Sequence, residues 1–210
     1  MTGPRKTAPS MSHVPHSQSS SYVDTGFSNR MGWGKRPALL IIDNPAAAAS
    51  PDLIRRLLDV ARQAGIPVAH TKVAYHDPEM RDAGLFWLRA KPLSVWQEGD
   101  PRGLAADLDD LQPKPEGIVV YKKYQSAFFG TTLATELYLR QTDTLVIWWS
   151  QYFRLCTGLC VGCYVSRFSS CACGDRTPEI HSSNLFDLNA EYADVATESE
   201  AKQKMLKVQS

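Results

Sequence analysis

Two residues of this chain sit where they could share a proton. Asp43 closes the apolar run Ala38-Leu39-Leu40-Ile41-Ile42, and Lys122 closes Ile118-Val119-Val120-Tyr121. In an open α/β sheet the carboxyl ends of parallel strands face one crevice, so an Asp and a Lys that end two such runs can meet there. Together they look like two thirds of a catalytic triad, whose third member should follow the next strand. After Asp143-Thr144-Leu145-Val146-Ile147, however, comes Trp148-Trp149-Ser150-Gln151-Tyr152-Phe153-Arg154-Leu155-Cys156. That segment has neither the glycines nor the helical period that a strand-to-helix active-site turn requires.

The elements that must position the pair are readable from period and punctuation. Pro37 to Ile42 is a continuous apolar run, the mark of a strand buried on both faces. Ser50 and Pro51 then suit a helix start, Ile54, Leu57, Leu58 and Ala61 form one stripe, and Gly65 suits its end. Strands are expected at Ile66 to His70, Ile118 to Tyr121 and Thr144 to Ile147, with a helix carrying Leu133 and Leu137 capped by Thr131 or Thr132. Between Tyr75 and Pro115, Trp87, Trp96, Phe86 and several prolines without a period suggest a long excursion over the edge or mouth of the sheet. A short helix from Ser182 or Ser183 through Leu185 and Leu188, a last strand Tyr192 to Val195, and a capping box in Thr197-Glu198-Ser199-Glu200 complete the pattern. The alternation predicts a single α/β domain over residues 31–210, with a central, mostly parallel sheet flanked by helices on both faces, in a Rossmann-like three-layer arrangement. Residues 1–30, rich in Ser, Pro, His and Gly, read as a disordered tail.

Bulk properties narrow the partners. With 210 residues, 43% of them hydrophobic, the chain can bury one sizeable core. Lys and Arg number 23 against 22 Asp and Glu, so there is no electrostatic footprint for nucleic acid or an anionic membrane. No apolar run approaches the roughly 18 residues that span a bilayer, and the N-terminus lacks the apolar centre of a signal peptide, so the expected location is cytoplasmic. The expected partner is a small molecule. All five cysteines lie between Cys156 and Cys173, an odd number in one window, which argues against a disulfide framework.

Further stretches carry a resemblance. These are Gly32-Trp33-Gly34-Lys35-Arg36-Pro37 leading into the Asp43 strand, Lys122-x-Tyr124-x-Ser126-Ala127-Phe128-Phe129-Gly130-Thr131, Ala172-Cys173-Gly174-Asp175-Arg176, His181, Asn184-Leu185-Phe186-Asp187 and Tyr192-Ala193-Asp194-Val195. In this order, over about Gly26 to Leu206, the chain resembles the isochorismatase-like cysteine hydrolases, and most closely their N-carbamoylsarcosine amidohydrolase branch. The resemblance implies a thiolate attacking a small amide or carbamoyl carbon, Asp43 taking and returning protons, and Lys122 favouring the thiolate and holding the Asp. It implies backbone N–H groups at a helix N-terminus for the oxyanion, no cofactor and no metal, and a homodimer or homotetramer. Spacing to Ser126 favours Lys122 over Lys123, which reads as a solvated surface charge. Isochorismatase-type ether hydrolysis, which does not rely on the cysteine, and a catalytically silent binding or assembly subunit are the rival readings.

The nucleophile is where the pattern breaks. The family carries a Gly-Val-Ser-Thr-Ser-Gly-Cys-Val-Arg type of turn after this strand, and in that register Leu155 occupies the nucleophile's place. Cys156 lies one residue further, an offset that turns a helical side chain by about 100°. The aberrant stretch is nonetheless ordered at the codon level. Trp148 and Trp149 each have one codon, and reading one base later turns them into Gly-Gly. Synonymous choices for the following codons let the same shift give Val-Ser-Thr-Ser-Gly-Cys-Val-Arg-Ala-Ser-Ala. Residues 148 to about 171 are therefore read as out of frame. Asn44-Pro45-Ala46 enters the first helix directly, where relatives carry a longer loop, which adds to the signs of a splicing fault. On this reading Cys160-x-x-Cys163 and Cys171-x-Cys173 are accidental rather than zinc ligands, and Trp148, Trp149, Tyr152 and Phe153 are misplaced core.

Overall fold

A computed structural model describes residues 29–43, 51–103, 109–149, 169–174 and 188–209. Six strands form one sheet, all pairs parallel: β1 (Pro37–Ile42), β2 (Val68–Val73), β3 (Ile118–Lys122), β4 (Thr144–Trp149), β5 (Ser169–Gly174) and β6 (Asp194–Val195), in the order β3-β2-β1-β4-β5-β6. The strand order reverses direction between β1 and β4, and in such sheets the crevice at that switch point is where ligands bind. Asp43 is the residue that follows β1, so the topology sets it at the switch.

Helices cover both faces. On one face α1 (Pro51–Gln63) packs its stripe of Ile54, Leu57, Leu58 and Ala61 against Leu39, Ile41, Val146 and Trp148, together with Ala201 and Met205 of α3 (Glu198–Leu206). On the other, Leu133 and Leu137 of α2 (Leu133–Leu139), with Leu188 and Ala193, cover Leu40, Ile42, Ala69, Ile118 and Val120. The expected stripe of α1 is the observed buried face, and Thr197 and Glu200 form the expected capping box of α3. Trp148 is completely buried in the α1 face. Leu57 is wholly buried, so Leu57→Ala is expected to destabilise the chain by about 2–5 kcal/mol in denaturant unfolding, with no change in the slope.

Boundaries moved where backbone donors are missing or used elsewhere. β2 starts at Val68 rather than Ile66, because Gly65 at φ 66° closes α1 with Ile66 N–H bonded to Ala61 O at 2.9 Å, and Pro67 has no N–H to give. The last strand shrinks to Asp194–Val195, since Tyr192 and Ala193 both donate back to Leu188 O, at 2.9 and 2.8 Å. The cap of α2 comes from Thr131, whose hydroxyl accepts from Leu133 N–H at 3.2 Å. The tail to residue 28, Asn44-Pro45-Ala46 and Ser50, the segment 150–168 with Tyr152, Phe153, Leu155, Cys156, Cys160 and Cys163, and the segment 175–187 with His181 and Ser182 to Leu185 lie outside the described residues.

The glycine-rich signature ahead of β1 has a structural cause. Asp194 accepts from the N–H groups of Met31 and Gly32 at 3.0 and 2.9 Å, and Asp143 accepts from those of Lys35 and Arg36 at 2.8 and 3.0 Å. Gly34 lies so close to the Asp143 carboxylate that a Cβ there would stand 2.2 Å from Oδ1. Two carboxylates thus clasp the strand that leads to the site.

Candidate active site

Asp43 and Lys122 meet. Lys122 Nζ lies 2.7 Å from Asp43 Oδ2, with the lysine side chain 0% exposed and the aspartate side chain 7%. The geometry follows from register. Ile42 pairs with Thr71 and Val73 with Lys122, so β2 runs between the two residues. Two inter-strand spacings are about 9.5 Å, a gap that a lysine stem reaching toward an aspartate can close.

Alternation alone would have kept them apart. Ile118, Val120 and Lys122 share the α2 face, whereas a continued β1 would put Asp43 with Leu39 and Ile41 on the α1 face. Asp43 instead has φ 42°, a left-handed conformation uncommon for a residue with a Cβ, and the break in alternation lets its carboxylate face Lys122. Thr71 of β2 holds it there: its hydroxyl accepts from Asp43 N–H at 3.1 Å and donates to Asp43 Oδ1 at 2.7 Å. Lys122 Nζ also donates to Tyr124 O at 3.3 Å. Asp43 Oδ2 is buried and lies within charge-assisted hydrogen-bond distance of the ammonium.

Asp43 stands at a cleft of about 540 Å³ whose walls also include Thr71, His76, Trp96, Gln97 and Tyr121, with the buried Lys122 behind it. Such a volume suits a small molecule. Trp96 and Gln97 come from the excursion, which has a small core of its own in Tyr75, Met80 and Ala83, packed by Trp87, Leu93 and Trp96. A parallel bridge between Tyr75 and Gln97 and a hydrogen bond from Tyr75 OH to Lys123 O at 3.0 Å fix it to the strand ends. Burial, and then the charge of Asp43, pushes the Tyr75 phenol up to about 12, so it stays a donor.

Lys123 departs from its expected role. Rather than a free surface charge, it is an ion-pair partner of Asp82 at 2.8 Å, tying the excursion to β3. Burial raises the Asp82 carboxyl, but hydrogen bonds from Lys123 and from His76 N–H outweigh it and leave it below the usual carboxylate range. That contribution is present at neutral pH and fades as pH falls through the lowered value. Among the described residues no cluster of His, Cys, Asp and Glu could hold a metal ion, and no helix is long and apolar enough to cross a membrane.

Thr71 escaped sequence reasoning. A threonine in a strand is ordinary on propensity grounds, and its only signal is a hydroxyl at the carboxyl end of a half-buried strand beside the one that Asp43 closes. Leu155 and Cys156, the two candidates for the nucleophile's register, lie outside the described residues.

Comparison with known proteins bears on the site. Residues 41–148 match the isochorismatase domain. The match ends at Trp148, where the sequence loses the expected turn. Maleamate amidohydrolase of Pseudomonas putida is 32% identical over 193 residues, spanning 84% of this chain and 90% of that protein. N-carbamoylsarcosine amidase of an Arthrobacter species is 27% identical over 212 residues, spanning 84% of this chain and 74% of that protein. A cysteine hydrolase from Pseudomonas syringae pv. phaseolicola shares the fold with a TM-score of 0.74 at 17% identity, covering 86% of this chain and 98% of that one.

Proposed function

Because the chain belongs to the isochorismatase family, we propose that its site is built to hydrolyse a C–N bond of a small amide or carbamoyl compound, with the nucleophile displaced from its place. Asp43 is the proton carrier and Lys122 the cation that orients it and favours an ionised thiol. The observation that carries this reading is the buried contact between Lys122 Nζ and Asp43 Oδ2, beside the cleft that Asp43 lines.

In the proposed reaction a thiol passes its proton to Asp43 Oδ2 and the sulfur attacks the substrate's carbonyl carbon. The tetrahedral oxyanion collapses, the C–N bond breaks, and Asp43 returns the proton to the leaving nitrogen. Water gives a proton to Asp43 as its oxygen attacks the thioester carbonyl carbon; the C–S bond then breaks and Asp43 returns that proton to the sulfur, releasing acid and thiol. Of these parts the chain carries the proton carrier and the cation, while Leu155 stands in the register of the thiol. Cys156 is the adjacent thiol, turned from the attacking direction by its one-residue offset. Turnover is therefore expected to be slow.

Ammonia release from a panel of small amides and carbamoyl amines tests this. Slow release, stopped by iodoacetamide and by Asp43→Asn, is the expected result, and release untouched by both would refute it. A second reading, a silent binding subunit, is supported by the displaced register itself. It requires ligand binding that survives alkylation of Cys156, with no ammonia from any substrate.

A further inference from the structure

We infer that Thr71 is a positioning residue that distinguishes the two oxygens of Asp43, reserving Oδ2 for the proton and for Lys122. The inference rests on the proposed role of Asp43. A threonine hydroxyl has one proton to give and two lone pairs. Here the proton goes to Asp43 Oδ1 at 2.7 Å and a lone pair takes Asp43 N–H at 3.1 Å, so one side chain fixes both the backbone and the carboxylate of the same residue. Thr71 is 2% exposed, which shields both bonds from competition by water.

The double contact addresses two separate difficulties. Asp43 sits at φ 42°, where an ordinary side chain costs about 1 kcal/mol or more unless its surroundings impose the conformation, and the bond to its N–H is one such constraint. A carboxylate turned about its Cβ–Cγ bond would present either oxygen, and the bond to Oδ1 removes that freedom. Oδ2 is left as the oxygen facing Lys122, at 2.7 Å. Lys122, on a flexible stem with three rotatable donors, holds Oδ2 from one side only, and the Thr71 hydroxyl fixes the other oxygen.

Thr71→Val keeps the shape and removes the hydroxyl, whereas Thr71→Ser keeps the hydroxyl. The readout is the exchange of the Lys122 ammonium protons with water, followed by NMR on uniformly 15N-labelled chain, with Asp43→Asn as the reference for a broken pair. Loss of a hydrogen bond to a charged group predicts exchange about tenfold faster in Thr71→Val, with wild-type exchange in Thr71→Ser. Wild-type exchange in Thr71→Val while Asp43→Asn exchanges fast would overturn the role of Thr71 and leave the ion pair standing. Wild-type exchange in Asp43→Asn as well would mean that the pair does not hold the ammonium, and the functional reading falls with it. Should Thr71→Val not fold, the unsubstituted chain still decides: a slowly exchanging Thr71 hydroxyl proton supports the inference, and one exchanging like an exposed threonine ends it.

Discussion

Replacing residues 148–160 by Gly-Gly-Val-Ser-Thr-Ser-Gly-Cys-Val-Arg-Ala-Ser-Ala is expected to raise ammonia release from small amides by about a thousandfold or more. The series is what the codons of this stretch can give when read one base later, and it includes Leu155→Cys. The expectation follows from which parts of the site are already assembled. Asp43, Lys122 and Thr71 are linked and buried, so on the proposed reading the change supplies a thiol to a carboxylate already held in place. The present occupant also fits poorly. Trp148 is wholly buried with its Nε1 hydrogen unpartnered among the described residues, a defect that costs about 1–3 kcal/mol. Steady-state ammonia release by the original and the replaced chain, each with and without Asp43→Asn, measures the effect. A replaced chain as slow as the original would show that the displaced nucleophile is not what limits turnover.

Lys122→Met is expected to destabilise the chain by about 3–5 kcal/mol, because it leaves the Asp43 carboxylate buried without its cation. For a chain of this length that corresponds to a fall in Tm of about 10 °C. The double variant Asp43→Asn with Lys122→Met should recover much of the loss, since no charge is then left uncompensated. Urea unfolding of the wild type, both single variants and the double variant gives the coupling between the two positions. Additive effects would mean that the two groups do not interact in solution. The prediction needs no turnover, so it tests the site even if the chain is silent.

Much of the scaffold was legible because it depends on local periodicity. The stripe of Ile54, Leu57, Leu58 and Ala61 has the 3.6-residue spacing of one helical face and became the buried face of α1. The unbroken apolar run before Asp43 became a strand covered on both sides. Where the expectation missed by two residues, at Ile66 and at Tyr192, the decisive factor was a backbone hydrogen bond to a helix turn, which no side-chain pattern reports.

By itself the sequence determined which residue types close which strands, and hence that a carboxylate and an ammonium belong to one end of the sheet. The strand order and parallel register, fixed by pairings between residues far apart in the chain, decided that Lys122 reaches across β2 to Asp43. The left-handed turn at Asp43 and the hydroxyl of Thr71 decided which face and which oxygen the aspartate presents. Those outcomes lie beyond sequence reading because alternation predicts the opposite face for Asp43. The packed neighbours select a positive-φ conformation that an aspartate tolerates but seldom adopts on its own.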